Sequence, residues 1–178
     1  SLTRKKTGYL RSDEMYGNFI LDLEFKVGPP DEKGRRTNSG ILLRHKPDPE
    51  LIRQNKKYWH NGLLEVQIFD SHGQEPDKHA CGALYDMLAP SCNPMKKPGQ
   101  WNRITITADG PAITIVLNGQ TIMDCSLNDW PEANKNPDGT PNKYNKPMKD
   151  LANKSGYIWL QDHPGEVWFR KIFVKGLD

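Results

Sequence analysis

The sequence predicts an all-β protein, a sandwich or jelly roll of two antiparallel sheets. Eight segments alternate apolar and polar residues with period two, and a helical period is sustained nowhere. The 15 glycines and 14 prolines supply turn residues between these segments. Two of the turns, Asp109-Gly110 and Asn118-Gly119, have the residue types that accept the positive φ angles of tight hairpins. Short strands joined by such turns are typical of sandwiches and jelly rolls.

Each predicted strand follows from its own alternation. In chain order they are Asn18 to Val27, Asn38 to Arg44, Leu63 to Asp70, Asn102 to Ala108, Ala112 to Leu117, Thr121 to Cys125, Tyr157 to His163 and Val167 to Val174. The two hairpin turns join the fourth, fifth and sixth of these strands into an antiparallel meander. Two connections are longer, His45 to Gly62 and Asn128 to Ser155. The second is predicted to be ordered by Trp130, Tyr144 and Met148, with a variable surface insertion as the alternative.

Two strands combine an apolar face with an unusual polar face. In the strand Leu63 to Asp70, alternation sends Leu64, Val66 and Ile68 one way and Glu65 and Gln67 the other; in Tyr157 to His163 it sends Ile158 and Leu160 one way and Tyr157, Trp159, Gln161 and His163 the other. Solvated strand positions usually carry Thr, Lys, Ser or Glu. A face with His, Trp and carboxamides therefore indicates a binding or catalytic site, with an ordinary solvated face as the alternative.

Arg44, Glu65 and His163 are the candidate catalytic residues. Gly40 would leave space for a ligand above the strand that ends at Arg44. The Arg44 guanidinium can recognise a substrate or pair with Glu65 to hold the sheet, and both uses are compatible. His163 and Glu65 on one face suit general acid and base chemistry. The alternative is that His163 has only a structural role.

The candidate substrate-binding residues are aromatic, amide and acidic side chains that suit a sugar. They are Gln67, Asp70, Tyr85, Trp159 and Gln161, with Trp59 as a further possibility. Aromatic rings stack on the C–H faces of a pyranose, while carboxylates and amides bind its hydroxyl groups. No metal-ligand set is complete in the sequence. A divalent cation held by Glu65 and His163 with a further ligand, or by Asp70 or Asp162, is an open alternative.

The strand from Glu65 to Asp70 invites comparison with the Glu-x-Asp-x-x-Glu strand of retaining β-glucanases. The retaining mechanism needs two carboxyl groups about 5 Å apart. Here Gln67 replaces the central acid, and Asp70 could reach the Glu65 face only through a bulge. Direct displacement at the anomeric carbon is therefore disfavoured.

Length and composition predict one domain over residues 1–178. A formal charge of +3 is too small to indicate nucleic acid, and no apolar run approaches the roughly 20 residues of a membrane span. The chain shows no signal peptide and no initiator Met, so a trimmed N-terminus is expected. Cys81 and Cys92 could pair if the protein is exported, and three free thiols are the equal alternative.

Seven motifs in order resemble one protein family, the 3-keto-disaccharide hydrolase domain. They are Tyr16-Gly17-Asn18-Phe19; Asn38-Ser39-Gly40-Ile41 with Arg44; Glu65-Val66-Gln67-Ile68 with Asp70; Gly82-Ala83-Leu84-Tyr85; Gly99-Gln100-Trp101-Asn102; Leu117-Asn118-Gly119; and Leu160-Gln161-Asp162-His163 with Phe169-Arg170. The resemblance covers Gly17 to Leu177. The family's opening strand is absent, Lys171 replaces its usual Asn, and Pro164 replaces its usual Gly.

The resemblance implies a concanavalin A-like jelly roll with its site on the concave sheet. It further implies a carbohydrate substrate, a glycoside oxidised to a ketone at carbon 3, and export to the periplasm or cell surface of glycan-degrading bacteria. A ketone acidifies the carbon 2 proton, so one base could start elimination of the aglycone, followed by addition of water. Glu65 or His163 is the expected base, with Arg44 and Gln161 or a bound cation stabilising the enolate. The rival functions are a non-catalytic carbohydrate-binding module and a structural domain of a larger secreted enzyme.

Overall fold

A computed structural model of the chain describes residues 9–46, 63–163 and 165–177. Its strands are β1 (Tyr9–Arg11), β2 (Phe19–Val27), β3 (Asn38–His45), β4 (Leu64–Phe69), β5 (Asn102–Asp109), β6 (Ala112–Leu117), β7 (Gln120–Ser126), β8 (Tyr157–Gln161) and β9 (Val167–Gly176). Two short 3₁₀ helices cover Leu127–Asp129 and Met148–Leu151. All eight predicted strands are confirmed to within two residues at each end. The sequence pattern missed only β1 among the described strands.

The strands form two antiparallel sheets, which confirms the predicted all-β class. One sheet has the order β1-β8-β3-β4 and the other the order β7-β6-β5-β2-β9. A further segment, residues 82–85, follows the free edge of β4: Gln67 N donates to Ala83 O at 3.0 Å and Tyr85 N to Glu65 O at 2.9 Å. This segment brings Tyr85 to the sheet that carries Glu65.

The core lies between the two sheets and is built from the predicted alternation. β2 and β5 bury every second residue, and Ile41, Val66, Ile68, Leu160 and Ile158 cover it from the four-stranded sheet. Ile68 is 0 % exposed and Leu160 is 4 % exposed, so the predicted face assignment of β4 and β8 is confirmed. Burying such side chains is the main source of the stability of the sandwich.

The hairpins form where the turn residues predict them. Gly110, Asn118 and Gly119 all have positive φ, at 51°, 51° and 84°. Asp109 pairs with Ala112, so the first turn is centred on Gly110 and Pro111, one residue later than the Asp-Gly pair suggests. Asn118 Nδ2 also donates to Asn102 Oδ1 at 2.8 Å, which ties this turn to the start of β5.

The long connection between β7 and β8 is ordered by apolar anchors. Trp130, Tyr144 and Met148 are 2 %, 1 % and 1 % exposed, as the sequence predicts. Most of the other long connection, including Trp59, lies outside the described residues. Within the described chain no helix has the length and apolar character needed to cross a bilayer.

The three cysteines are free thiols in this structure. Cys81 is fully buried, and burial raises the pKa of its thiol to about 12. Cys92 Sγ donates to Gln120 Oε1 at 3.4 Å. Of the two alternatives in the sequence, the structure has the free thiols.

Candidate active site on the four-stranded sheet

The polar face of the four-stranded sheet consists of two rows of side chains set by strand register. One row contains Arg11, Trp159, Leu42 and Glu65, and the next contains Tyr9, Gln161, Gly40 and Gln67. Each member lies directly opposite its neighbour on the adjacent strand, where side chains are close enough to interact. Register therefore brings together four predicted site residues, Glu65, Gln67, Trp159 and Gln161.

Glu65 lies at the β4 end of this face, and Gly40 on the neighbouring strand makes room for it. A Cβ added at Gly40 would overlap Glu65 Oε1, so the carboxylate lies directly over the glycine backbone. The sequence predicts space above Gly40, and the structure shows that the Glu65 side chain fills it. Glu65 is only 8 % exposed, and burial raises the pKa of its carboxyl group against the opposing effect of Lys143.

Lys143 is the cation at this site, and the sequence analysis missed it. Its Nζ lies 3.7 Å from Glu65 Oε2 and 3.9 Å from the centroid of the Tyr85 ring. Tyr85, a predicted site residue, thus contacts the same cation as Glu65. Lys143 comes from the long connection between β7 and β8. The sequence signal that could have revealed it is the neighbouring anchor Tyr144, because an anchored residue fixes the position of the residue beside it.

A β-bulge in β3 brings His45 onto the polar face. Leu42 pairs with Trp159 and His45 pairs with Tyr157, so three steps on β3 match two on β8. The extra residue is Arg44, whose φ is +53°. The His45 ring lies 5.2 Å from the Trp159 ring, and burial lowers the pKa of His45 to about 4. His45 is therefore a neutral imidazole at physiological pH.

Two buried polar atoms on this face have no hydrogen-bond partner among the described residues. They are Gln67 Oε1 and Trp159 Nε1. The other end of the Gln67 amide is held, because Nε2 donates to Asn38 Oδ1 at 3.2 Å. A buried polar atom without a partner is costly, and such atoms in native proteins generally serve a ligand or an ordered water. Gln67 follows Glu65 on β4 and Trp159 lies in the Glu65 row, so both atoms indicate a ligand site on this face.

Comparison with known proteins assigns the family. The family described as the 3-keto-alpha-glucoside-1,2-lyase-like domain matches residues 1–175. The chain belongs to this family. The resemblance found in the sequence motifs is thereby confirmed, and with it the predicted architecture of two antiparallel sheets.

Members and structural neighbours of the lyase-like family include hydrolases of carbohydrates. A 3-keto-disaccharide hydrolase of Bacteroides thetaiotaomicron is 27 % identical over 184 residues, which cover 92 % of this chain and 60 % of the relative. A proposed glycosyl hydrolase of Parabacteroides distasonis is 31 % identical with a TM-score of 0.81, covering 97 % of this chain and 85 % of the other. A carbohydrate-binding module of Bacillus subtilis shares the fold at 9 % identity and a TM-score of 0.53, covering 98 % and 84 %.

Arg44 is held by backbone carbonyl groups at the connections of the sandwich, whereas the sequence predicts a catalytic role for it. Its Nη1 donates to the carbonyl oxygens of Gly110, Leu151 and Ala152 at 2.7–3.1 Å, and its Nε donates to Gly17 O at 2.8 Å. The bulge explains the difference, because the extra residue turns Arg44 off the face that simple alternation assigns to it. Arg44 joins three connections of the sandwich and has a structural role.

Asp70 and His163 are not brought to Glu65 by the register. Asp70 follows β4 with the even-numbered, core-facing residues, and its charge contributes to the raised pKa of Cys81. His163 lies two residues beyond the end of β8 and is exposed. Regular strand pairing therefore does not place His163 in the Glu65 row.

Among the described residues, no three His, Cys, Asp or Glu side chains come together as a metal-binding group.

Gln161 Nε2 donates to Tyr9 Oη at 3.4 Å, which places a carboxamide and a phenol together at the β1 end of the face. Arg11 stacks over the Tyr157 ring at 4.0 Å. The face therefore has a charged end at Glu65 and Lys143, and an aromatic end at Trp159, Tyr157 and Tyr9.

Proposed function

We propose that this chain cleaves glycosides that carry a ketone at carbon 3. The family description names a lyase, and a lyase acts by elimination. In the proposed reaction a base removes the carbon 2 proton, the aglycone leaves from carbon 1, and water then adds to the resulting enone. The net result is hydrolysis of the glycosidic bond.

The observation that carries this proposal is the buried carboxylate of Glu65. Burial raises its pKa, which makes it a stronger base than an exposed glutamate. Register places an amide, Gln67, rather than a second carboxylate beside it on the same face. One base without a paired acid suits proton abstraction next to a ketone better than displacement at an anomeric carbon, which needs two carboxyl groups.

The rest of the face suits a sugar in contact with Glu65. Gln67 Oε1 can accept a hydrogen bond from a sugar hydroxyl, and Trp159 Nε1 can donate one to a sugar oxygen. Trp159 lies two strands from Glu65, about 10 Å across the sheet, which is the length scale of a disaccharide. The aromatic end would then contact the aglycone while the ketone-bearing ring lies at Glu65.

The test compares Glu65→Gln with the unchanged chain on a 3-keto-disaccharide and on the ordinary disaccharide. The variant preserves volume and deletes only the base, so kcat/KM for the keto substrate should fall about 10²–10⁴-fold. Glu132→Gln is the matched control, because Glu132 is exposed on the long connection and pairs with Lys135. Equal activity of Glu65→Gln and the unchanged chain would place the base elsewhere.

A non-catalytic carbohydrate-binding domain is the second candidate. The two unpartnered polar atoms and the adjacent Tyr9 and Trp159 rings would serve sugar binding even without Glu65. Titration calorimetry with the ordinary disaccharide separates the two functions. Binding of that sugar without turnover of its 3-keto derivative would favour the binding domain.

A further inference from the structure

We propose that Lys143 is a catalytic residue: its ammonium group donates a hydrogen bond to the ketone oxygen at carbon 3 and stabilises the enolate that forms there. This role rests on the function proposed above and adds to it the electrophile that the reaction requires. An enolate next to a buried carboxylate would otherwise place two negative charges in one poorly solvated pocket.

The proposed step balances in two stages. First the Glu65 carboxylate takes the carbon 2 proton, the C–H electron pair forms the carbon 2–carbon 3 double bond, and the ketone π pair moves to the oxygen beside Lys143. The carbonyl then re-forms, a double bond forms between carbons 1 and 2, and the bond from carbon 1 to the aglycone oxygen breaks. The aglycone oxygen then takes a proton, and the Glu65 carboxyl group can donate the one that it took from carbon 2.

The distances agree with Glu65 as the base and Lys143 as the donor to the ketone oxygen. Lys143 Nζ lies 3.7 Å from Glu65 Oε2, so a base and a cation face the same small space. The carbon 2 hydrogen and the ketone oxygen belong to adjacent carbons of one ring. One sugar ring can therefore contact both groups at once, each within the hydrogen-bond reach that proton transfer and oxyanion binding need.

The pair is poorly arranged for a purely structural ion pair. The Arg103–Asp22 pair on the other sheet has an N–O distance of 2.8 Å, whereas Lys143 and Glu65 stand 3.7 Å apart. Burial lowers the pKa of Lys143 and raises that of Glu65, so both charged forms lose solvation in the fold. Removing both charges from water costs folding free energy, and ionisable groups perturbed in this way are typical of functional sites.

The Lys143 backbone is held firmly, as a catalytic group requires. Lys143 N donates to Asp86 Oδ2 at 2.8 Å, and Tyr144 Oη donates to the carbonyl oxygen of Tyr85 at 2.7 Å. On the other side, Asn142 Oδ1 accepts from Tyr144 N at 3.0 Å. These bonds fix the residues around Lys143 to the segment that carries Tyr85, and so position the ammonium group over the Tyr85 ring.

The experiment uses two substrates and three lysine variants. The first substrate is a 3-keto-disaccharide, read as released sugar. The second is a 3-keto-1,5-anhydro sugar, which has no leaving group and reports only loss of the carbon 2 proton, read by NMR as exchange in D₂O. The variants are Lys143→Met, Lys143→Arg and the control Lys135→Met, on the same connection but 49 % exposed.

We expect Lys143→Met to lower kcat/KM on the disaccharide about 10²–10³-fold and to slow carbon 2 exchange by a similar factor. Lys143→Arg should recover part of both rates, because it restores a cationic donor. Lys135→Met should behave as the unchanged chain. Circular dichroism melts accompany each variant, and Lys143→Arg keeps the test valid if the methionine variant does not fold.

The outcomes separate this proposal from the proposed function. If the unchanged chain neither cleaves the keto substrate nor exchanges carbon 2, the proposed function fails. If it does both, Glu65→Gln loses both and Lys143→Met retains full exchange, only the role of Lys143 is overturned. A covalent sugar adduct on Lys143 after borohydride treatment, detected by intact mass, would also overturn it by showing imine formation in place of hydrogen bonding.

Discussion

His45 should make this protein lose stability as the pH falls below about 6.5, and His45→Gln should remove that part of the loss. In the folded chain burial lowers the pKa of His45 from 6.5 to about 4. The unfolded chain takes up this proton near pH 6.5 and the folded chain does not until about pH 4. Protonation therefore favours unfolding across that window.

The size of the effect follows from the two pKa values. Between about pH 7.5 and pH 5, one such histidine changes the free energy of unfolding by about 2 kcal/mol. Partial solvent access to the ring reduces this to about 1–2 kcal/mol. Acidic groups whose pKa is lowered in the fold, such as Asp22, also make the folded chain less stable as the pH falls. Only the difference between the chain and its variant therefore isolates His45.

The assay is urea denaturation of the unchanged chain and His45→Gln at about pH 7.5 and pH 5. His45→Gln should lose about 1–2 kcal/mol less than the unchanged chain on acidification. Parallel losses in both proteins would show that the His45 ring is protonated as easily in the fold as in water.

Two further predictions concern the frame that holds the face. Ile68→Ala and Leu160→Ala should each lower the free energy of unfolding by about 2–5 kcal/mol, since both are buried; an alanine variant that melts like the parent would contradict the register. Arg44→Met should cost at least about 3 kcal/mol, because it leaves several buried carbonyl oxygens without a donor. Arg44→Lys should recover part of that loss, and thermal melts measure both variants. An Arg44→Met variant as stable as the parent would refute the structural role.

The sequence predicted those parts of the fold that depend on local pattern. Alternation alone placed Ile68 and Leu160 in the core and Glu65 and Gln67 on the opposite face, because the side-chain period of a strand admits no other choice. Turn chemistry located both hairpins, with the first turn one residue out of place. β1 escaped prediction because three residues are too few to show a period.

The polar face was predicted where strand register is regular and missed where it is not. Glu65, Gln67, Trp159 and Gln161 lie in adjacent rows because β4, β3 and β8 pair without interruption at that point. One extra residue at Arg44 then turns Arg44 off the face that alternation assigns to it and brings His45 onto that face. A bulge has no strong signal in a single sequence, since it is fixed by pairing with another strand.

Lys143 could not be predicted for a different reason: its place depends on a loop that crosses to another part of the chain. Yet the same loop determines the chemistry at Glu65. Gly40 lets the carboxylate lie against the sheet and lose water, and Lys143 supplies a cation in contact with that carboxylate. A burial that raises the pKa of an acid, beside a cation held at 3.7 Å, costs folding free energy at neutral pH. The large apolar core between the sheets offsets that cost, which is why a poorly solvated base can persist on β4 of an otherwise well-paired sheet.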